Sequence, residues 1–432
     1  LLFRERPRML WQPALPDEYL RLTEDELGAA IAARRQELGS RLLILGHHYQ
    51  QDEVIRHADF VGDSLKLSQI AALEAPKRGA KFIVFCGVHF MAETADILTT
   101  DDVSVILPDL SAGCSMADMA AYDDTVQAWD EIHEAIAPTS AKSRTRQRVI
   151  PITYVNSSAA IKAFVGERGG ACCTSSNARL VFDWALKGGV EKKAPGESIK
   201  ILFLPDQHLG RNTAKAKGFV TEVDVEESGA KGPAETALWN PKKPLGGLDV
   251  QTARAAKVLL WAGHCSVHKL FRPEHVDAAK ADGRTVLVHP ECAQQVVDRA
   301  DLQGSTEMII QTIAAAPVGS RWAIGTEVHL VSRIAREAAE RGVSVRILSD
   351  CQCLCTTMYR IDQPHLSWVL DRLARGIVVN EVKVHPEAKR LAKLALERML
   401  ENVAAPRTTT SKATKPASKK SSKKTQLPAT VD

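Results

Sequence analysis

Residues 41–49 read RLLILGHHY, an apolar run that ends in two histidines and a tyrosine. A short apolar run of this kind is typical of a strand that is buried on both faces of a sheet. The pattern recurs in KFIVFCGVHF at 81–90 and in DVSVILPDLSAGC at 102–114, with longer segments of helical spacing between the runs. This alternation of strands and helices predicts an α/β fold with parallel strands.

The three strand signals occur twice more along the chain in the same order. We predict the further strands in RVIPITYVNSS (148–158), GACCTSSNARL (170–180), KILFLPDQHLGRN (200–212), RTVLVHPEC (284–292), RWAIGTEVHL (321–330) and VSVRILSDCQCLC (343–355). One cysteine closes each repeat: Cys114, Cys265 and Cys355. The repeats predict three similar parallel α/β domains in a pseudo-threefold triangular arrangement, with the cysteines converging on its axis. The alternative is three unrelated α/β units with incidental cysteines.

The repeats divide the chain into consecutive regions. We predict an N-terminal extension and helix over 1–39, α/β repeats over 40–118, 119–270 and 271–355, a C-terminal helical segment over 356–402 and a basic tail over 403–432. Thr23 and Glu26 have the spacing of a capping box at the start of the first long helix. The middle repeat is longer because of a stretch at about 213–250 that is rich in Gly, Lys and Glu, and we interpret it as a surface insertion. The tail has almost no large apolar residues, so we expect it to be disordered.

Composition and charge exclude several classes of protein. No apolar run approaches the roughly 18 residues that a membrane-spanning helix needs. Arg4, Glu5 and Arg6 interrupt the N-terminal region before an apolar stretch develops, so we expect no secretory signal and a cytoplasmic location. The net charge of the 432 residues is +4, and the tail alone contains seven Lys or Arg and one Asp. The basic character therefore belongs to the tail and does not indicate a nucleic-acid surface on the folded part.

The nine cysteines do not resemble a disulfide framework, because some are adjacent or alternate, as in 351–355. In a reducing compartment such cysteines are metal ligands, reactive thiols or small buried residues. Three thiolates that meet in a cleft suit an iron–sulfur cluster, in which one iron would lack a protein ligand and could act as a Lewis acid. On spacing alone this signal is weak. A zinc hydrolase that uses the same three cysteines, and a nucleic-acid binder driven by the tail, remain alternatives.

Ten motifs in the expected order resemble the quinolinate synthase family, NadA. They are GHHYQQDEV, ADFVGDSLKLSQ, FCGVHFMAE, PDLSAGCSMADM, YVNSSAAIKA, TSSNA, PDQHLGR, GHCSVH, HPEC and GSTEMI. The resemblance runs from about Leu42 to Leu400 and does not include the stretch at 213–250 or the tail. It implies three α/β domains around a [4Fe–4S] cluster held by three cysteines. It also implies an enzyme of de novo NAD biosynthesis that condenses iminoaspartate with dihydroxyacetone phosphate to form quinolinate, and functional coupling to an L-aspartate oxidase.

The resemblance also implies roles for individual residues. The cluster ligands would be Cys114, Cys265 and Cys355, with Cys353 as the alternative to Cys355. The catalytic residues would be Tyr49, His268 and Glu291. The substrate-binding residues would be His47, Ser64, Tyr154, Asn156, Ser175, His289, Ser305 and Thr306. Hydroxyls and amides at strand ends and helix N-termini suit carboxylates and phosphate, and His and Glu beside an open iron could move protons.

Several residues also have purely structural interpretations. Ser305 and Thr306 could be helix caps with no further role. His89 and His329 occupy matching positions in their repeats, and we leave them out of the site. Cys86, Cys172, Cys173 and Cys292 are expected to be small buried residues.

Overall fold

The computed structural model of the chain describes residues 12–138, 146–230, 232–350 and 353–404. Within these residues the strands form three separate sheets of four, five and four strands. Every pair of neighbouring strands is parallel. The prediction of three parallel α/β units is therefore confirmed. None of the described helices combines the length and the apolar character that a membrane span requires.

The first sheet is built from the first predicted repeat and is preceded by two helices. The elements are α1 (Asp17–Leu20), α2 (Glu24–Leu38), β1 (Leu42–His47), α3 (Asp52–Ile55), β2 (Phe60–Gly62), α4 (Ser64–Arg78), β3 (Phe82–Cys86), α5 (His89–Leu98), β4 (Ser104–Ile106) and α6 (Ser115–Asp118). The strand order is β2-β1-β3-β4. All of β1 is buried, as its continuous apolar run predicts. The predicted capping box is present, because the Thr23 N–H donates to Glu26 Oε2 at 2.8 Å and the Glu26 N–H donates to Thr23 Oγ1.

The middle sheet has a fifth strand. The elements are α7 (Tyr122–Ile136), β5 (Arg146–Tyr154), α8 (Ala159–Glu167), β6 (Ala171–Cys173), α9 (Ala178–Leu186), β7 (Glu197–Leu204), α10 (Gln207–Ala216), α11 (Glu222–Ser228), β8 (Thr236–Trp239), α12 (Val250–Ala255) and β9 (Val258–Trp261). The strand order is β6-β5-β7-β9-β8. The stretch at 213–250, predicted as a surface insertion, thus supplies the edge strand β8, whose Trp239 is fully buried. Its four residues are too few to stand out in sequence from their Gly- and Lys-rich surroundings.

The third sheet repeats the topology of the first. The elements are α13 (Pro273–Ala281), β10 (Thr285–Val288), α14 (Gln294–Arg299), β11 (Leu302–Gln303), α15 (Thr306–Ala314), β12 (Arg321–Gly325), α16 (Val328–Ala339) and β13 (Ser344–Ile347). The strand order is β11-β10-β12-β13, the same arrangement as β2-β1-β3-β4. The internal repeat seen in the sequence is therefore a repeat of sheet topology.

The topology corrects one detail of the predicted repeat. The segment 170–180 contains the edge strand β6, which corresponds to β2 and β11 and not to the second predicted strands β3 and β12. Strand β7, in the segment 200–212, corresponds to those second strands. The mismatch arose because β2 and β11 have only three and two residues and give no apolar signal of their own. Without a signal from these two strands, the sequence pattern aligns the middle repeat with the other two repeats in a register shifted by one strand.

Two C-terminal helices return to the earlier units. Helix α17 (Gln363–Ala374) packs against α2, and α18 (Pro386–Ala404) packs against α8 and β6. Leu391, Leu396 and Met399 of α18 are part of the core of the middle sheet. Helices α8 and α18 approach so closely that a Cβ at Gly166 would lie 2.0 Å from the Leu391 carbonyl oxygen. A glycine is therefore required where α8 meets α18.

Candidate active site

The ends of equivalent strands supply most of the predicted site residues. Strands β1, β5 and β10 end at or just before His47, Tyr154 and His289, and the residues two positions further are Tyr49, Asn156 and Glu291. In parallel sheets these carboxyl ends lie at one edge, where α/β folds bind ligands. The same two positions of each unit therefore contribute to one site.

The short edge strands supply hydroxyl groups in the same way. Ser64, Ser175 and Ser305 each lie two residues after the end of β2, β6 or β11. Ser64 is the first residue of α4, and Ser305 is the N-cap of α15, where its Oγ accepts a hydrogen bond from the Met308 N–H at 3.4 Å. The correspondence of β6 with the other edge strands explains why these three serines match.

The cysteines follow the last shared strand of each sheet. Cys114 comes after β4, Cys265 after β9 and Cys355 after β13. All three line one cavity. The cavity is also lined by every other predicted site residue except His268 and Ser305. The structure thus brings residues from all three sheets to a single cavity.

Glu291 is the centre of a buried hydrogen-bonded network at this cavity. Its Oε1 accepts a hydrogen bond from the Tyr154 hydroxyl at 2.6 Å, and its Oε2 lies 2.9 Å from His268 Nδ1. The rings of His268 and His289 are stacked with centroids 4.6 Å apart, and His289 Nε2 lies 3.2 Å from Ser175 Oγ. His268 therefore lies behind the cavity wall and acts on the cavity through Glu291.

A threonine that the sequence analysis did not select links this network to the first sheet. Thr326 follows β12, is fully buried, and places its Oγ1 3.1 Å from His268 Nε2 and 2.9 Å from the Tyr49 hydroxyl. The Tyr49 hydroxyl also lies 3.3 Å from Thr306 Oγ1. A continuous chain of polar contacts therefore runs from Tyr49 through Thr326, His268 and Glu291 to Tyr154. The signal for Thr326 in the sequence is its position directly after the predicted strand RWAIG.

Burial and charge set the protonation of these groups. Burial raises the pKa of Glu291, but the adjacent imidazoles of His268 and His289 and the Tyr154 hydroxyl outweigh it and hold that pKa below its usual range. Burial, together with the Glu291 carboxylate, raises the pKa of Tyr49 and of Tyr154 well above 10. Burial lowers the pKa of His289 to about 3. At neutral pH the site therefore holds a carboxylate, two protonated phenols and a neutral His289.

The remaining predicted residues occupy distinct places. His47 is buried beside Tyr49, with ring centroids 4.7 Å apart, and burial lowers its pKa to about 3. Asn156 lines the cavity, and its buried Oδ1 has no hydrogen-bond partner among the described residues. Ser305 instead faces a neighbouring pocket that shares Ser175 with the cavity. The structure thus gives Ser305 a capping contact and places it beside the main cavity, not in it.

The three cysteines fit a metal-containing group that needs several thiolates. Burial raises the pKa of Cys114 to about 12, that of Cys265 well above its usual value, and that of Cys355 in the same direction. Backbone N–H groups two or three residues further along point to each sulfur and partly offset this effect. A thiolate in such a place needs a cation as partner, and N–H contacts to sulfur are typical of iron–sulfur sites.

The separation of the thiols argues against one zinc ion bound by all three. A Zn–S bond is about 2.3 Å, so two sulfurs on one zinc lie no more than roughly 4.6 Å apart. Cys114, Cys265 and Cys355 do not form such a close group; Cys265 instead lies within 4.8 Å of ligand atoms of His268 and Glu291. Those two side chains already contact each other at 2.9 Å. The three thiols therefore do not all lie within reach of one zinc ion.

The other cysteines that the structure describes do not line this cavity. Cys353 is fully buried in an apolar core with Cys292, so of the two competing ligands only Cys355 lines the cavity. Cys86, Cys172 and Cys173 are also fully buried. Cys351 lies outside the described residues. His329 is held by Glu327 at 2.9 Å on the surface side of α16 and does not line the cavity.

Comparison with known proteins gives a consistent family. Residues 29–401 match the family model described as Quinolinate synthetase A protein, NadA. The chain is 51% identical to the quinolinate synthase of Acidobacterium capsulatum, over 89% of this chain and 95% of that protein. It is 49% identical to that of Corynebacterium glutamicum, with 91% and 92% covered, and 50% identical to that of Herpetosiphon aurantiacus, with 89% and 95% covered. A match of this extent, on a chain whose three sheets converge on one cysteine-lined cavity, shows that the protein belongs to the quinolinate synthetase A family.

Proposed function

We propose that the protein is a quinolinate synthase of NAD biosynthesis and that the cavity is its active site. Membership of the family supports the activity. The observation that carries the assignment of the site is the meeting of three cysteines, one from each sheet, with the Glu291 network in a single cavity. Cytoplasmic location is part of the same proposal.

The proposed substrates are iminoaspartate and dihydroxyacetone phosphate. Their carboxylates and phosphate need hydrogen-bond donors, and the cavity offers the hydroxyls of Ser64, Ser175 and Thr306. His47 and His289 are neutral in this setting and can each donate one ring N–H. The unpartnered Oδ1 of Asn156 can accept from an imine N–H or a substrate hydroxyl. Because iminoaspartate hydrolyses in water, an L-aspartate oxidase would be the functional partner that supplies it.

The proposed cofactor is a [4Fe–4S] cluster held by Cys114, Cys265 and Cys355. When bound, it would supply a Lewis acid at the iron that has no protein ligand. Glu291 and Tyr49 line the same cavity as the three cysteines, so they would lie near substrates bound there. The remaining chemistry consists of proton transfers, which the protein's own side chains can perform.

The chain of polar contacts that starts at Tyr49 can be oriented so that it removes a proton from the cavity. In this proposal the ring proton of His268 is on Nδ1, which lies 2.9 Å from the Glu291 carboxylate, and Nε2 accepts from the Thr326 hydroxyl. Thr326 can in turn accept from Tyr49, which faces the cavity. A proton can therefore move from the cavity through Tyr49 and Thr326 to His268, whose positive charge Glu291 would stabilise. On the other side, Glu291 Oε1 can accept a proton directly, while Tyr154 holds it in place.

One experiment tests both the activity and the cofactor. The protein is purified without oxygen, its iron and sulfide are measured, and quinolinate is assayed after adding dihydroxyacetone phosphate and freshly generated iminoaspartate. We expect brown protein with about four irons per chain and quinolinate formation. Colourless, zinc-containing protein without quinolinate formation would contradict the proposal and favour the zinc hydrolase alternative.

A further inference from the structure

The loop that carries Tyr49 is held by the third unit. This loop, residues 48–52, follows β1 and is contacted at two separate points. At the cavity, the Tyr49 hydroxyl meets Thr326, which directly precedes α16. Away from the cavity, the loop main chain meets Arg333, which lies on α16 itself. Residues in α16 and directly before it therefore contact the loop at both points.

Arg333 makes three hydrogen bonds to the loop. Its Nη1 donates to the His48 carbonyl at 3.1 Å, and its Nη2 donates to the Gln50 carbonyl at 2.7 Å. Its Nε donates to Asp52 Oδ1 at 3.0 Å. The two carbonyls belong to the residues on either side of Tyr49. A planar guanidinium fixes such acceptors in one geometry, which a lysine ammonium cannot reproduce.

Arg336 provides a matched comparison one helical turn further along. It also pairs with the Asp52 carboxylate, but among the described residues it makes no contact with the carbonyls beside Tyr49. Its side chain is 60% exposed, whereas that of Arg333 is 17% exposed. The two arginines share a helix, a charge and a partner, and they differ in their contact with the loop main chain.

We propose that Arg333 is a positioning residue that holds the Tyr49 hydroxyl in register with Thr326 Oγ1. This inference rests on the role proposed above for Tyr49. Proton transfer needs donor and acceptor within hydrogen-bond distance, and a displacement of about 1 Å can lower a rate about a hundredfold. Arg333 does not line the cavity in which we place the substrates. Its effect would therefore pass through the main chain of residues 48–50.

Other contacts keep the loop folded when Arg333 is replaced. Gln50 Nε2 donates to the Met358 carbonyl at 3.2 Å, and Gln51 Nε2 donates to the carbonyls of Tyr359 and Ile361. The loop would thus stay attached to residues 358–361, while the Tyr49 hydroxyl would no longer be held at hydrogen-bond distance from Thr326 Oγ1. We expect a loss of turnover without a comparable loss of stability.

The test is a double-mutant cycle on enzyme purified without oxygen. Arg333→Met, Tyr49→Phe and the double variant are compared in kcat, melting temperature and iron content, with Arg336→Met as the control. We expect Arg333→Met to lower kcat roughly 10- to 100-fold, with iron content and melting temperature close to those of Arg336→Met. Arg336→Met should keep kcat within about twofold. Because Arg333 acts through Tyr49, the double variant should be no slower than Tyr49→Phe.

The outcomes separate this inference from the one on which it rests. If Tyr49→Phe keeps normal kcat, the proposed role of Tyr49 is wrong, and the positioning role falls with it. If Tyr49→Phe is slow but Arg333→Met is not, or if the two effects multiply in the double variant, only the positioning role is overturned. Should Arg333→Met not fold, the same cycle with Arg333→Lys decides, because lysine keeps the charge and loses the fork.

Discussion

The cavity has two walls whose buried ionisable groups differ in charge: the thiols are neutral, and the carboxylate is charged. On the sulfur wall, Cys114, Cys265 and Cys355 lie mainly among apolar side chains, with Cys265 at the border to His268 and Glu291, and burial keeps the thiols protonated. On the polar wall, Glu291 is equally buried, but imidazoles and a phenol keep its carboxylate charged. The polar wall therefore brings its own partners, whereas the buried thiols of the sulfur wall would need a cation as partner to become thiolates.

The largest effect should come from the sulfur wall. We expect Cys114→Ser, Cys265→Ser and Cys355→Ser each to abolish quinolinate formation, because a cluster with only two thiolates is labile. Iron and sulfide content should fall together with activity in all three variants. A variant that keeps both iron and activity would remove its cysteine from the ligand set.

A change on the polar wall should separate activity from cofactor content. Glu291→Gln keeps the size of the side chain but cannot accept a proton, so we expect kcat to fall roughly 10²- to 10⁴-fold. Iron content should stay normal, because Glu291 is not proposed as a ligand. Near-normal turnover would exclude Glu291 from the mechanism. A loss of iron would mean that the two walls do not act separately.

Thr326 tests whether the chain of polar contacts carries a proton. Thr326→Val removes the hydroxyl at nearly constant volume, and we expect kcat to fall roughly 10- to 100-fold. Thr326→Ser keeps the hydroxyl and should retain most of the activity. Equal kcat in the two variants would show that the hydroxyl between Tyr49 and His268 is not needed.

The low pKa of the buried His47 predicts how the stability of the protein depends on pH. The pKa of His47 is about 3 in the folded protein and near 6.5 when unfolded, so the unfolded chain binds more protons between these values. Stability should therefore rise with pH in this window and fall as the pH drops below about 6.5. When the pH falls from 7 to 5, the free energy of unfolding measured with urea should decrease less in His47→Gln than in wild type. We expect this difference to be up to about 2 kcal/mol. The exposed His385→Gln is the control and should follow wild type.

The smallest effect on the site should come from a cysteine two residues from a proposed ligand. Cys353 is buried in an apolar core, so Cys353→Ser should retain iron and turnover. We expect a loss of about 1–3 kcal/mol in the free energy of unfolding, because a hydroxyl replaces a thiol in that core. Loss of iron in Cys353→Ser, together with its retention in Cys355→Ser, would reverse the assignment of the third ligand.

The long strands could be predicted from the sequence because their apolar runs are continuous, as in β1 and β7. Strands β2, β11 and β8 could not, because they are short and the residues around them are polar or rich in glycine. Most of the predicted site residues that line the cavity follow strands, and the family resemblance named them individually. Their partners could not be predicted, because Tyr154 and Glu291 belong to different sheets and lie 137 positions apart. Sequence position alone also gave no reason to place Ser305 outside the cavity, because Ser64 and Ser175 hold equivalent positions inside it.

The packing of α18 on the middle unit has a consequence for biosynthesis. The last strand of the middle sheet ends at Trp261, but Leu391, Leu396 and Met399 complete the core of that sheet. Proteins fold from the N-terminus as they leave the ribosome. The surface of α8 therefore stays uncovered while about 120 further residues are translated. We expect nascent chains shorter than residue 386 to expose this surface to chaperones, and assembly of the metal cofactor to follow translation of α18.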